Sequence, residues 1–295
     1  MSNYLITGAT GFVGSNIART LLEAKNNIYI ICRKSSSFHY MDDIKKNISI
    51  FEYDGNINNL IDYLKEVRPL AVFHLASLFL STHKFTDIHN LIDSNILFGT
   101  QLLEAMTLAE VKYFINTSTS WQHYNNRLYD PVCLYAATKE AFEKILKYYT
   151  STQQINAITL ELFDTYGRGD QRKKLMFLLK EASRTGKELK MSPGDQELDL
   201  VYIDDVVSAF LCALNLLRND NLTEDKYTVT SGRVLKLKKI VQIYSQISRK
   251  KLKILWGGRE YRKREIMKTW KEYTLLPNWK PRVTLEEGIR KIENL

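Results

Sequence analysis

The two residues best suited to proton transfer are Tyr135 and Lys139, which are separated by four positions. That spacing places both side chains on one face of a helix. Because a nearby ammonium group favours the ionised form of a phenol, we expect Lys139 to lower the pKa of Tyr135 from about 10 toward neutrality. A tyrosine with such a pKa can act as a general acid or base. The hydroxyl residues of the segment TSTS, residues 117–120, are candidates to meet this phenol.

A second chemical signal lies in the segment TGATGFVG, residues 7–14, whose three glycines have the spacing GxxGxxG. The segment follows an apolar run and precedes a stretch with helical periodicity. In such a turn Gly8 permits the tight bend, Gly11 lets backbone N–H groups approach a pyrophosphate, and Gly14 lets the helix pack on the strand. These glycines predict a dinucleotide-binding turn.

The end of the second predicted strand bears on which dinucleotide binds. An NAD site places an acidic residue there to bind the ribose 2′-hydroxyl, whereas an NADP site supplies cations for a 2′-phosphate. The sequence at this point is CRKSS, residues 32–36, and it contains no carboxylate. Arg33 with Ser35 or Ser36 could bind a phosphate group. We therefore predict NADP(H) as the cofactor, with Arg33, Lys34 and Ser35 at its 2′-phosphate.

A parallel sheet would position these residues, and the periodicity of the first half of the chain predicts one. Apolar runs indicate six strands, near residues 3–7, 28–32, 48–53, 70–75, 111–117 and 157–163. Helical stretches lie between them, near residues 12–24, 57–67, 88–109 and 134–149. The alternation of strands and helices is typical of an α/β fold with a doubly wound parallel sheet, the Rossmann arrangement.

Beyond Gly167 the regular alternation is lost. Helices are predicted near residues 173–184, 204–217, 237–248 and 285–292, with short strands near Val201 and Tyr227. We expect residues 1–165 to form an NADP-binding domain whose sheet also receives later segments near residue 200. Residues 166–295 are expected to form a smaller, mixed and mainly helical part that binds the substrate and shares the core of the sheet.

Composition excludes several other classes of protein. The 295 residues are 44% hydrophobic and 25% charged, values typical of globular domains rather than disordered chains. Three widely separated cysteines fit neither a disulfide framework nor a zinc site, so we predict no metal. The chain has no apolar run of about 20 residues and opens without the pattern of a signal peptide. We therefore expect a cytoplasmic protein with no membrane partner.

The formal net charge of +9 raises the question of a nucleic-acid partner. Much of the excess lies in residues 236–253 and 259–271, where basic residues alternate with apolar ones at helical spacing. That pattern is typical of the solvated faces of amphipathic helices, so we predict no nucleic-acid partner. A nucleic-acid-binding or NADP-sensing module is the non-enzymatic alternative.

Together these motifs resemble the extended short-chain dehydrogenase/reductase family, also called the nucleotide-sugar epimerase/dehydratase family. Further segments carry the resemblance along nearly the whole chain: HLAS (74–77), NILFGT (95–100), LLEA (102–105), YG (166–167), VYIDDV (201–206), WKP (279–281) and LEEGI (285–289). The resemblance implies that Thr119, Tyr135 and Lys139 form a catalytic triad, in which Lys139 also holds the nicotinamide ribose. It implies that Asp54 and Gly55 meet the adenine.

The same resemblance implies that Ala76 and Asn95 line the path of the cofactor. The full set of predicted cofactor-binding residues is Gly8, Thr10, Gly11, Phe12, Val13, Gly14, Arg33, Lys34, Ser35, Asp54, Gly55, Leu75, Ala76, Ser77, Asn95, Thr117, Tyr135, Lys139 and Phe163.

Within the family, residues 119–124, 134–139 and 163–167 are most similar to enzymes of the abequose-synthase type, which reduce the 4-keto group of nucleotide-linked 4-keto-6-deoxyhexoses. This similarity implies an NADPH-dependent 4-ketoreductase in the biosynthesis of a deoxysugar for surface polysaccharide. It implies a nucleoside-diphosphate sugar substrate, with CDP favoured over GDP or dTDP, and a homodimer.

Two rival reactions can be weighed from the sequence. Dehydratases of the family carry carboxylates directly after the catalytic hydroxyl residue, but Ser120 and Trp121 stand at those positions. Dehydration is therefore disfavoured. A nucleotide-sugar epimerase with a retained NAD(P) is the alternative to the reductase.

Departures from the family pattern concern the substrate. Leu198 stands where many members have an arginine that binds the diphosphate, so another cation is needed. Asp164 replaces an asparagine, and its carboxylate either faces a substrate hydroxyl or caps a turn. His123 either touches the sugar or is a loop histidine satisfied by the protein. The candidate cations are Arg168, Arg172, Arg259, Arg262 and Arg264. The predicted substrate residues are Ser77, Thr119, Ser120, His123, Asp164, Arg172 and Arg259.

Overall fold

The computed structural model describes residues 1–152, 154–219 and 224–295. In chain order its strands are β1 (Asn3–Thr7), β2 (Asn27–Cys32), β3 (Ser49–Glu52), β4 (Ala71–His74), β5 (Tyr113–Thr119), β6 (Asn156–Leu162), β7 (Asp164–Tyr166), β8 (Leu189–Met191), β9 (Glu197–Tyr202), β10 (Glu224–Val229), β11 (Val234–Lys236) and β12 (Ile254–Trp256). Its α-helices are α1 (Phe12–Glu23), α2 (Ile57–Val67), α3 (Ile88–Ile92), α4 (Phe98–Leu108), α5 (Leu134–Ser151), α6 (Leu175–Thr185), α7 (Ile203–Asn219), α8 (Leu237–Ser248) and α9 (Leu285–Glu293).

Seven of these strands form one parallel sheet in the order β10-β6-β5-β4-β1-β2-β3. From β1 the chain winds outward to β3 and then, in the other direction, to β6, so the strand order reverses beside β1. This confirms the doubly wound prediction. Ligands bind in such sheets outside the carboxyl ends of the strands at the reversal point, which here lies between β1 and β4.

The strand that completes the sheet differs from the one expected. The segment near residue 200 is β9, which pairs with β7 and β11 in a separate three-stranded sheet. The strand that joins the large sheet is β10, which pairs in parallel with β6. The expectation for residue 200 was wrong because α7 lies between β9 and β10 and packs on β5 and β6. The crossover through α7 therefore delivers the strand after the helix, rather than the strand before it, to the edge of the sheet.

The single helix predicted near residues 88–109 is interrupted. Between α3 and α4, residues Asp93–Leu97 form a π-helical turn. Such turns are rare and occur frequently at functional sites. The buried side chain within this turn is Asn95, one of the predicted cofactor residues.

Both faces of the large sheet are covered, as its continuous apolar strands require. Leu5 and Ile6 are adjacent in β1 yet belong to two different apolar clusters, one on each face. The cluster around Ile6 also contains Phe210 of α7 and Tyr244 of α8, so the second half of the chain shares a core with the sheet. In the described ranges no helix has both the length and the apolar character needed to cross a membrane.

Candidate active site

The glycine turn between β1 and α1 has the tight geometry that the spacing predicts. Gly8 has φ of +70°, and a Cβ there would lie 2.6 Å from the backbone nitrogen of Ala76. A Cβ on Gly14 would lie 2.4 Å from the carbonyl oxygen of Gly8, so α1 packs directly on the turn. No side chain caps the start of α1, and its first turn carries no acid. The free N–H groups of the first helical turn are therefore suited to an anion such as a pyrophosphate.

The loop after β2 carries the predicted phosphate-binding residues. Arg33, Lys34 and Ser35 are exposed, and in the described part of the chain no carboxylate forms an ion pair with either cation. The loop is closed by two hydrogen bonds: the Arg33 N–H donates to Ser36 Oγ at 3.1 Å, and the Ser36 N–H donates to the Arg33 carbonyl at 2.9 Å. Since β2 neighbours β1, these cations stand beside the glycine turn.

Asp54 and Gly55 follow β3 on the same side of β1. The carboxylate of Asp54 accepts hydrogen bonds from the Asn56 N–H and from Asn59 Nδ2, each at 2.9 Å, which tie it to the start of α2. Gly55 has φ of +93° and open space around its Cα. The adenine contact predicted for these residues stays a prediction.

The loop after β4 is built on a buried histidine. His74 Nδ1 lies 2.8 Å from Thr7 Oγ1, and the hydroxyl of Thr7 accepts a hydrogen bond from the Ala76 N–H at 3.2 Å. Burial, together with the nearby Lys139 ammonium, lowers the pKa of His74 to about 3. His74 is therefore neutral and serves to fix the loop that carries Leu75, Ala76 and Ser77.

Asn95 connects that loop to α5 from the π-helical turn. Its Oδ1 accepts from the Leu78 N–H at 2.7 Å and from Ser77 Oγ at 3.2 Å. Its Nδ2 donates to the Leu78 carbonyl at 3.1 Å and to Thr138 Oγ1 at 2.9 Å. These bonds engage both ends of the amide with protein groups, so Asn95 positions Ser77 beside the helix that contains Tyr135.

The predicted catalytic residues come together at the carboxyl end of β5. Thr119 ends β5, and Tyr135 and Lys139 lie in the first turns of α5. The hydroxyls of Ser77 and Thr119 lie near the phenol of Tyr135, where they act to lower its pKa. The hydroxyl of Thr117, two residues before Thr119, is buried with no partner among the described residues.

The ionisation of this group differs from the expectation. Burial raises the pKa of Tyr135, outweighing the hydroxyls of Ser77 and Thr119, which act in the opposite direction. Burial also lowers the pKa of Lys139 to about 8, against an opposing effect of Glu143. The predicted lowering of the phenol pKa by Lys139 was wrong because desolvation dominates at both residues. The phenol is therefore protonated at neutral pH and suited to donate a proton.

A second polar cluster lies behind Thr119, between α5 and the sheet edge. Glu143 accepts hydrogen bonds from Ser118 Oγ and from Gln122 Nε2, the latter at 2.8 Å. Lys226 of β10 lies 3.0 Å from Glu143 Oε2 and 3.2 Å from Glu161 Oε2. This cluster fixes the residues on both sides of Thr119 to the last strand of the sheet.

His123 belongs to this cluster rather than to a substrate site. Its Nε2 lies 2.8 Å from Glu161 Oε2, and its Nδ1 lies 3.1 Å from the carbonyl oxygen of Arg127. Its ring stacks on Trp270 with centroids 4.1 Å apart. Since protein groups engage both ring nitrogens, the geometry of His123 matches the second alternative, a loop histidine satisfied by the protein, rather than the contact with a sugar.

A cavity of about 310 Å³ lies between the carboxyl ends of the strands and the second half of the chain, and its wall includes Phe79, whose ring packs against Tyr135. Asp164 lies in its wall, 3.2 Å from Lys174 Nζ, and Phe163 and the buried Ser120 lie next to it. The cations in its wall are Lys173, Lys174, Lys190, Arg259 and Arg262. A site with this many cations is suited to a doubly charged diphosphate.

The structure separates the five arginines that were candidates for the diphosphate. Arg259 and Arg262 line the cavity, where Arg262 is paired with Glu265 at 2.9 Å. Arg172 is paired with Asp170 at 2.8 Å and lies over the ring of Phe12 at 4.7 Å. The guanidinium of Arg172 thus packs on the glycine turn, and its predicted contact with the substrate stays a prediction. Arg264 is paired with Asp130, and Arg168 is exposed.

Several residues of the site were not found from the sequence. Glu143 lies one turn beyond Lys139, and this spacing of four is a signal that could have identified it. Glu161 and Lys226 reach Glu143 through strand pairing, which leaves no local signal. Lys174 lies in a run of basic residues of the kind common at the exposed starts of helices, so the sequence offered no reason to place it in the site.

Residues 4–228 match the family model described as the NAD dependent epimerase/dehydratase family, so the chain belongs to that family. This confirms the resemblance found in the sequence. The CDP-abequose synthase of Yersinia pseudotuberculosis is 30% identical over 266 residues, which cover 89% of this chain and 90% of that protein. A UDP-glucuronate 4-epimerase of Thermodesulfobacterium geofontis is 26% identical over 100% of this chain and 96% of that protein.

Among solved structures, the UDP-glucuronic acid 4-epimerase from Bacillus cereus, in complex with UDP-glucuronic acid and NAD, superposes with a TM-score of 0.85. It covers 99% of this chain and 98% of its own, at 23% identity. The two proteins share their fold over their whole length.

Proposed function

We propose that this protein is an oxidoreductase that reduces the C4 keto group of a nucleotide-linked 4-keto-6-deoxy sugar with NADPH. The observation that carries the proposal is the phenol of Tyr135, which lies near the hydroxyls of Ser77 and Thr119 and packs against Phe79 in the wall of a cation-lined cavity. A carbonyl reduction needs such a proton donor.

The residues of this chain act on the carbonyl oxygen. Thr119 donates a hydrogen bond to that oxygen, and Tyr135 transfers its proton to it as the carbon–oxygen π bond breaks. A reduced nicotinamide, when bound, would supply the hydride for the carbonyl carbon. Tyr135 is left as a phenolate, which the ammonium of Lys139 stabilises until water returns the proton. The product is a secondary alcohol.

The residues present fit a dinucleotide phosphate. The uncapped start of α1 is suited to the pyrophosphate, and the unpaired cations Arg33 and Lys34 are suited to a 2′-phosphate. The family is described as NAD dependent, and the absence of a carboxylate in residues 32–36 favours NADP(H) over NAD(H) within it.

The second half of the chain supplies most of the cavity wall, which supports its assignment to the substrate, with residues 1–165 assigned to the cofactor. Arg259 and Arg262 replace the arginine missing at Leu198. The similarity to a CDP-abequose synthase favours CDP as the nucleotide, ahead of GDP and dTDP. That similarity also favours a role in deoxysugar synthesis for surface polysaccharide.

Epimerisation is the second candidate, because relatives and structural neighbours include 4-epimerases. The exposed loop of Arg33 and Lys34 favours an exchangeable cofactor and hence the reductase. To decide between the two, purified protein is given CDP-, GDP- and dTDP-linked 4-keto-6-deoxyhexoses and, separately, the matching nucleotide hexoses. Stoichiometric loss of NADPH absorbance with a keto sugar supports the reductase. Isomerisation of a hexose at C4 with no net cofactor consumption establishes the epimerase.

A homodimer is proposed from an apolar surface on neighbouring helices. Ile88 and Ile92 of α3 and Leu97 of the π-helical turn are each more than 40% exposed, and these elements pack beside α5. A self-complementary pair of such surfaces would bury them. Sedimentation equilibrium of the wild type and of Ile92→Lys tests this, with a mass near 34.4 kDa expected for the variant.

A further inference from the structure

One aromatic ring, that of Phe79, packs against the phenol of Tyr135, and a second, that of Trp121, packs against Phe79. The ring of Phe79 meets the Tyr135 ring edge to face, with centroids 5.0 Å apart, and it meets the Trp121 ring in the same manner at 5.4 Å. Both rings line the cavity, and Phe79 is 45% exposed. An apolar surface therefore borders the position of the carbonyl group on one side.

The groups that position the catalytic residues also hold these rings. Phe79 directly follows Leu78, whose backbone is hydrogen-bonded in both directions to Asn95. Trp121 lies two residues after Thr119, and the backbone N–H of Trp121 donates to Thr119 Oγ1 at 3.3 Å. The guanidinium of Arg262 covers the outer side of the Trp121 ring at 4.9 Å. The apolar surface is thus fixed relative to Tyr135, as a specificity site requires.

We propose that Phe79 and Trp121 form a subsite for the methyl group of the sugar, and that this subsite selects 6-deoxy substrates. The inference rests on the proposed carbonyl reduction. A carbonyl oxygen within hydrogen-bond reach of the phenol, about 2.6–3.2 Å, brings the adjacent ring carbons of the sugar alongside Phe79. One of these carbons carries a hydroxyl and the other carries the C6 substituent.

The polar and apolar sides of the cavity determine which carbon lies where. Asp164 and Lys174 can bond to the hydroxyl-bearing side. By contrast, the ring faces of Phe79 and Trp121 offer apolar contact, and only the indole N–H at the edge of Trp121 can donate a hydrogen bond. A methyl group buried there loses nothing, but a C6 hydroxyl must give up its water. For one hydroxyl in an apolar pocket we expect a preference of about tenfold to a hundredfold.

The test compares kcat/KM for CDP-4-keto-6-deoxyglucose and CDP-4-ketoglucose, followed by NADPH absorbance. The wild type should prefer the 6-deoxy sugar at least about tenfold. Phe79→Ser should reduce this preference to about threefold or less, and Phe79→Leu, which keeps the surface apolar, should retain most of it. Phe85→Ser is the matched control, since Phe85 is 85% exposed and lies outside the cavity wall; it should leave the preference unchanged.

A binding measurement keeps this inference separate from the proposed reaction. Calorimetry compares CDP-6-deoxyglucose with CDP-glucose, and the matching dTDP sugars with each other. The wild type should bind each 6-deoxy sugar more tightly than its partner. Phe79→Ser should bind the two members of each pair with equal affinity. Equal kcat/KM values for the two keto sugars, or equal affinities within each pair, would overturn the subsite. Failure to reduce either keto sugar while the affinity difference persists would overturn the reductase and leave the subsite standing.

Discussion

Two lysines lie near the carboxylate of Glu143, and their pKa values shift in opposite directions. Lys139 is 2% exposed, forms no salt bridge with any residue that the structure describes, and has its pKa lowered to about 8 by burial. Lys226 lies at the edge of the sheet with its side chain 36% exposed, against Glu143 and Glu161. Burial alone would lower its pKa, but these two carboxylates raise it.

The difference separates a lysine used for structure from one suited to chemistry. Direct carboxylate partners raise the pKa of Lys226 above its ordinary value, so it stays charged at neutral pH and links β6, β10 and α5. Lys139 lacks such a partner, so its charge is available to a phenolate formed beside it. The pKa of Lys139 also lies closer to neutral pH, so small changes in its surroundings alter its charge.

The largest expected effect comes from removing the phenol of Tyr135, whose ionised form Lys139 is proposed to stabilise. Tyr135→Phe should lower kcat for carbonyl reduction by a factor on the order of 10² or more, because the proton donor is lost. The melting temperature should change little. Tyr148→Phe is the control, since it removes a hydroxyl from an exposed position of the same helix. Near-normal turnover by folded Tyr135→Phe would remove the basis for treating Lys139 as the reactive lysine.

The pH dependence of stability should separate Lys139 from Lys226. A lysine whose pKa is lowered in the folded state binds its proton more tightly when unfolded, so its contribution to stability improves as pH rises from about 8 to 10.5. At 1.36 kcal/mol per pKa unit, the full change is on the order of 3 kcal/mol. Between pH 8 and 10, the wild type should gain stability relative to Lys139→Met in urea unfolding.

The pH range of this test ends at about pH 10, the ordinary pKa of a tyrosine. Above that pH, Tyr135 ionises in the unfolded chain before it does so in the folded protein, because folding raises its pKa. The folded state then loses stability as the pH rises. Parallel stability curves for the wild type and Lys139→Met from pH 8 to 10 would mean that folding does not lower the pKa of Lys139.

Removing the structural lysine should reduce stability rather than chemistry. Lys226→Met leaves Glu143 and the buried Glu161 without their shared cation, which should cost roughly 1–3 kcal/mol, less than for a fully buried pair because Lys226 is partly exposed. The measurement is the free energy of unfolding at pH 7. Lys144→Met removes the partner of Glu140 on the surface and should cost less than about 1 kcal/mol. Equal losses from the two variants would show that the cluster behind Thr119 adds no stability.

The smallest expected effect concerns a third kind of cation, the exposed and unpaired Arg33. Arg33→Ala should raise KM for NADPH by about tenfold, the low end for a charge-assisted hydrogen bond at an exposed site, and leave KM for NADH unchanged. Arg184→Ala, which removes a surface arginine of α6, should alter neither value. Wild-type activity with NADH equal to that with NADPH would contradict the cofactor assignment.

Predictability from the sequence follows the range of the interactions involved. The glycine turn and the Tyr135–Lys139 pair depend on neighbours within one or two helical turns, so spacing alone identifies them. The role of His123 depends on Glu161 and on Trp270, which lies 147 positions further on. No local pattern reports such a contact, so the sequence left two alternatives open for His123, a sugar contact and a histidine satisfied by the protein. The three-residue strands β8 and β12 are similarly too short to carry a periodic signal.

The ionisation of Tyr135 was mispredicted for a different reason. Its spacing from Lys139 indicates which charge is near, but the extent of desolvation depends on the residues that cover the phenol, and Phe79 is among them. The order of strands at the sheet edge likewise depended on where α7 packs, which the apolar pattern of β9 does not contain.

The π-helical turn that holds Asn95 also limits which insertions and deletions the gene can tolerate. A π-helical turn closes its hydrogen bond over five residues where an α-helix uses four, so the chain carries one residue more than a continuous helix would need. Deleting one residue between Asp93 and Leu97 would restore regular helical bonding and rotate everything before it by about 100°. The local helix would improve, yet the amide would leave Leu78 and Thr138. Such a deletion should therefore free the loop that carries Ser77 from the helix that contains Tyr135.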